Sequence, residues 1–124
     1  MWQRAYVHAI ALVYLSLGVA FTLAPVPMFA AIDIQLETPL AITDGRATYG
    51  GMELGIAAGL WLALARDAAL AARIAGIGLL CLGCVRFIGI VVDDGGTPMM
   101  WTFLGLELVL GVLGAGLGPE TTDA

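Results

Sequence analysis

Four stretches of this 124-residue chain are apolar over about the ~20 residues needed to cross ~30 Å of hydrocarbon: Ala5 to Ala24, Arg46 to Ala65, Ala68 to Val92 and Pro98 to Leu117. Four such runs in so short a chain argue against a soluble core. The expectation is an all-α fold, a four-transmembrane-helix bundle forming one domain over residues 1–124. Composition agrees, with 60% hydrophobic and 12% charged residues, where a soluble domain carries ~25% charged. The connections are too short to hold a second domain, and no charge run suggests a nucleic-acid partner. The first run exceeds the ~7 to 15 residues of a signal-peptide core, so it reads as a retained helix.

Orientation follows from the five positive side chains, all of them arginine. Arg4 precedes the first run, and Arg66 and Arg73 flank the turn between the second and third. The other two connections, Pro25 to Gly45 and Asp93 to Thr97, carry Asp33, Glu37, Asp44, Asp93 and Asp94 and no Lys or Arg. The positive-inside rule then places both termini in the cytoplasm. Pro25-Val26-Pro27 ends the first helix. Met28 to Leu36 suits the membrane interface, and Thr38-Pro39 reads as an N-cap followed by Pro at N1.

The second run, RATYGGMELGIAAGLWLAL from Arg46 to Leu64, combines charge with small residues. At ~100° per residue, Arg46, Glu53 and Leu60 fall within about 40° of one another, and Gly51, Gly55 and Gly59 form a roughly opposite stripe. Small residues at that spacing let a backbone approach closely. Intramolecular packing is favoured over a homo-oligomer interface. Gly76 and Gly83 on the third helix, with Gly111, Gly114 and Gly118 on the fourth, extend the same expectation.

Three intramembrane charges share one level in this topology. Glu53 lies ~10 Å past Arg46, Arg86 lies ~10 Å before Asp93, and Glu107 lies ~13 Å past Pro98 at 1.5 Å per residue. A charge alone in hydrocarbon is costly, so such groups pair or line a functional path. Phase places Glu107 with Met100, Phe103, Gly111 and Gly114, and Arg86 with Ala75, Leu79, Leu82, Gly89 and Asp93. Arg86 is expected to reach Glu53 or Glu107, with Arg46 and Asp93 closing the outer end. One arginine cannot neutralise two glutamates, and the one left over would be a natural proton carrier.

Cys81-Leu-Gly-Cys84 is a CxxC, the spacing of thiol–disulfide exchange, but it sits inside an apolar helix on the side away from Arg86. Small apolar packing is the favoured reading, and a thiol redox enzyme the lesser one. His8, the single histidine, cannot make a multi-His metal site and suits an interfacial hydrogen bond.

The elements RATYGGMELG, VRFIGIVVDDG and LGLELVLG together resemble an uncharacterised bacterial four-helix membrane family, a domain of unknown function, and more distantly the DoxX-like four-helix proteins. The resemblance covers nearly the whole chain and marks Arg46, Tyr49, Gly50, Gly51, Glu53, Arg86, Asp93 and Glu107. It implies no activity and no cofactor. The expected protein sits in the bacterial inner membrane and is not an enzyme. Arg46, Tyr49, Glu53, Arg86, Asp93 and Glu107 would bind a small polar ligand or lipid headgroup, or handle protons. The alternative is a structural or accessory subunit whose charges only lock the bundle.

Overall fold

The computed structural model describes residues 1–117 and is helical between short connections. Helix α1 (Trp2–Leu23) stops where Ala24 turns to φ −136° ahead of Pro25. A short α2 (Pro25–Ala30) follows, and its chain is turned by Asp33 at φ 64°. Helix α3 (Pro39–Gly45) begins as the sequence predicts, with the Thr38 side chain accepting from the Ala41 N–H and Pro39 at N1. It runs into a π-helical turn (Arg46–Gly51) and then α4 (Met52–Leu64). Helix α5 (Ala68–Val92) is capped by Asp67, whose carboxylate accepts from the N–H groups of Ala69 and Leu70. Helix α6 (Pro98–Gly116) is capped by Thr97. Each cap satisfies backbone donors that a helix leaves open at its start.

Three of these helices, α1, α5 and α6, are long and apolar enough to cross a membrane. The second apolar run is laid out differently from the single helix expected. Its α4 portion has 13 residues, ~20 Å of rise, and the remainder of the path is α3 and the π turn.

The chain divides into two compact units. One contains Met1–Val7 and the chain from Ala63 onward, and its centre is the α5–α6 hairpin. Small residues set the spacing there. A Cβ on Gly76 would fall on the backbone of Gly111, Gly114 and Ala115, and one on Gly111 would meet Leu80. Tyr6 lies over Gly114 and donates its hydroxyl to the Leu110 carbonyl at 2.8 Å. Gly76, Gly83, Gly111 and Gly114 are therefore packed as the sequence suggests; Gly118 lies outside the described residues.

The other unit is His8–Leu62. Here α1 runs alongside the π turn and α4 in antiparallel register, with Thr22 against Gly50, Gly18 against Leu54, and His8 bonded to Trp61. Ala57 and Leu60 are buried on α4. The Gly51-Gly55-Gly59 stripe is on the other side, and among the described residues no atom lies within 4 Å of a Cβ at any of the three. The expected intramolecular packing of this stripe is thus overturned. The helix turns its larger Ala57 and Leu60 inward, and the close approaches fall to Gly18 and Gly50.

Candidate functional site

Arg86 and Glu107 face each other across the hairpin. The Arg86 Nε donates to both carboxylate oxygens, at 2.8 Å and 3.0 Å, and Nη2 donates to Oε1 at 2.5 Å. Nη1 points at the Met100 sulfur at 3.4 Å, and the Phe103 ring centroid is 5.4 Å from Cζ. The guanidinium is therefore held by a two-point carboxylate contact, the strong form of the interaction, with an aromatic face beside it. Gly83, one turn before Arg86, lies against α6, where an added Cβ would stand 3.1 Å from Leu108 Cδ2 and 3.4 Å from Glu107 Cβ. Glu107 is 8% exposed, which fits a carboxylate whose charge is answered.

The phase reading of α6 holds, since Leu104, Glu107, Gly111 and Gly114 are its buried residues. That of α5 needs a shift. Its buried face is Ala72, Ala75, Gly76, Leu79, Gly83 and Ile90, whereas Leu82 is exposed. Cys81 and Cys84 are free thiols on the exposed side of α5, so they are not packed as small buried hydrophobes. Asp93 is exposed, and its N–H closes α5 on the Gly89 carbonyl.

In the unit His8–Leu62 the π turn carries four of the marked residues, Arg46, Tyr49, Gly50 and Gly51. Its i→i+5 pattern adds about one residue to a turn, which rotates Arg46 by ~100° relative to Glu53. The two do not share a face as a regular helix predicts. Arg46 is exposed and its guanidinium donates to the Thr22 carbonyl, one of the acceptors left open at the end of α1. A positive group is favourable at that helix end. Gly50 is buried on the same residue, and a Cβ there would run into Thr22 Oγ1. Tyr49 packs edge-on against Phe29 at 4.9 Å and tilted against Phe21 at 5.3 Å.

Glu53 lies in the first turn of α4, just after the π turn. It is half-buried, and its Oε2 is buried with no hydrogen-bond partner. Of the two glutamates expected to compete for Arg86, the hairpin gives the guanidinium to Glu107 and Glu53 keeps an unanswered oxygen. Arg86 and Glu107 are thus brought together. Arg46 donates to the Thr22 carbonyl within its own unit, and Asp93 is exposed at the end of α5. Sequence reading passed over Thr22, Phe21, Phe29 and Tyr6; only Gly50 carried a signal, as one of two adjacent glycines in a charged helix start. His8 does hydrogen bond, accepting at Nδ1 from Trp61 Nε1–H at 3.1 Å.

A domain of unknown function, DUF4345, matches residues 2–117. The chain belongs to the DUF4345 family. This bears out the expectation of an uncharacterised family covering nearly the whole chain. No curated protein and no solved structure matches it. In this DUF4345 chain the match takes in Arg46 and Arg86 with their elements, and both Glu53 and Glu107.

Proposed function

We propose that this DUF4345 protein is an integral protein of the bacterial inner membrane that binds a small polar ligand or lipid headgroup, or handles protons, at its intramembrane polar groups. Four spans are proposed: α1, the path from α3 through α4, α5 and α6. The arginine asymmetry supports cytoplasmic termini. Arg46, Tyr49, Glu53, Arg86, Asp93 and Glu107 remain the candidate set, with Glu53 as its open member. The observation that carries this reading is the buried Oε2 of Glu53, which has no hydrogen-bond partner. An unsatisfied polar atom in an apolar setting is destabilising, and a chain without a use for it gains by replacing it. Intramembrane ionisable groups are functional by default.

The test is retention of small molecules. Wild-type protein and Glu53→Gln, purified in mild detergent, are compared by native mass spectrometry and thermal melting. The expected result is an adduct held by the wild type and lost in the variant, with the melting temperature of the variant no lower. No adduct on either protein would sink the binding reading.

A second reading, a structural or accessory subunit, is favoured by one observation. Both oxygens of Glu107 accept from Arg86, so the two charges of the pair answer each other without a ligand. The two readings divide between the two carboxylates, with Glu107 locking the hairpin and Glu53 open.

A further inference from the structure

The two intramembrane glutamates have opposite surroundings. Glu107 meets three guanidinium contacts from Arg86, while Glu53 Oε2 is buried and meets none. We propose that Glu53 is a site of reversible protonation, standing in the membrane as the neutral carboxylic acid, while Glu107 stands as the ionised carboxylate. This rests on the reading of Glu53 as the open polar group and names the proton as the species it takes.

The same unit holds further charged and titratable groups, of which Asp33 and Glu37 lie on the connection between α2 and α3. In the register set by Gly18 against Leu54 and Thr22 against Gly50, α1 offers Tyr14 one turn from Gly18. The π turn offers Arg46 and Tyr49, and α3 offers Asp44. Arg46 is the one positive side chain among these, and its guanidinium is on the Thr22 carbonyl. His8, farther along α1, accepts from Trp61. None of them bonds to Glu53 Oε2. An ionised carboxylate without a donor or counter-charge is the costliest form for a group in hydrocarbon, and adding one proton removes the charge. The step is balanced: a carboxylate and a proton from water give the acid, and release to water restores both.

A hydrophobic carbodiimide reads this state directly. The acid's O–H adds across the carbodiimide to give an O-acylisourea, which rearranges to a stable N-acylurea one reagent mass heavier. Full-length protein in lipid vesicles is treated with dicyclohexylcarbodiimide across a pH series and mapped by peptide mass spectrometry. Glu53 should carry the label, faster as pH falls, and Glu107 should stay unlabelled. Glu53→Gln should lose the label, and the wild-type map decides the matter even if that variant fails to fold. An unlabelled Glu53, equal labelling of both glutamates, or a rate at Glu53 that ignores pH would each overturn the proposal. Because the reagent needs no bound ligand, absence of a retained adduct defeats the binding reading without touching this one.

Discussion

Arg86 and Glu107 close a two-point contact across the α5–α6 hairpin, with Nη2 2.5 Å from Oε1 and Nε 2.8 Å from Oε2. Their side chains are 24% and 9% exposed, so removing one partner strands the other charge away from water. Arg86→Leu should cost on the order of 3 to 5 kcal/mol, measured as loss of resistance to denaturation in detergent. Arg86→Leu with Glu107→Leu should restore most of that loss, because an apolar pair of similar volume can replace a buried ion pair. A double variant as unstable as the single one would show that the pair is more than a lock.

Glycines on different helices should respond in opposite ways. Gly76→Ala places a methyl on the α6 backbone near Gly111 and Ala115, and overpacking of this kind costs ~1 to 3 kcal/mol. Gly55→Leu enters open space and should leave thermal stability near the wild-type value. Comparable melting temperatures for the two variants would contradict the packing described here.

The Gly50–Thr22 contact predicts a rescue. Gly50→Ala should destabilise by ~1 to 3 kcal/mol, since its methyl would meet Thr22 Oγ1. Thr22→Ala removes that oxygen and should recover part of the loss in the double variant while leaving the Thr22 carbonyl, and so the Arg46 bond, in place. Simple additivity of the two changes would count against a direct clash.

The Trp61–His8 hydrogen bond should be readable in fluorescence. Trp61 Nε1–H donates to His8 Nδ1 at 3.1 Å, so in a Trp2→Phe, Trp101→Phe background His8→Phe removes the acceptor and should shift Trp61 emission. An emission spectrum unchanged by His8→Phe would exclude the contact.

Topology can be read by fusions. A reporter after Ala124 and one inserted between Asp33 and Glu37 should report opposite sides of the membrane, as the arginine distribution requires. The same side for both would remove the proposed orientation and the depth comparison built on it.

Much of this protein was legible because the signals are local. Apolar run length marked the segments able to cross a membrane, and the Thr38-Pro39 and Pro25-Val26-Pro27 elements marked a helix start and a helix stop. Phase on α6 put Glu107 with Gly111 and Gly114, which is where they lie. Such features depend on rise per residue, hydration and the cap of one helix at a time.

Three things were decided only in the tertiary structure. The sequence shows two glutamates for one Arg86 at matched depth; the approach of α6 at Gly83 assigns the guanidinium to Glu107. The glycine spacing in the second run is equally suited to packing or exposure, and the inward turn of Ala57 and Leu60 leaves Gly51, Gly55 and Gly59 open. The regular helical period puts Arg46 over Glu53, yet the π turn, tied to Thr22 at both Arg46 and Gly50, rotates them apart. In each case several local arrangements satisfy the same hydropathy and period, and contact with a residue distant in sequence selects one of them.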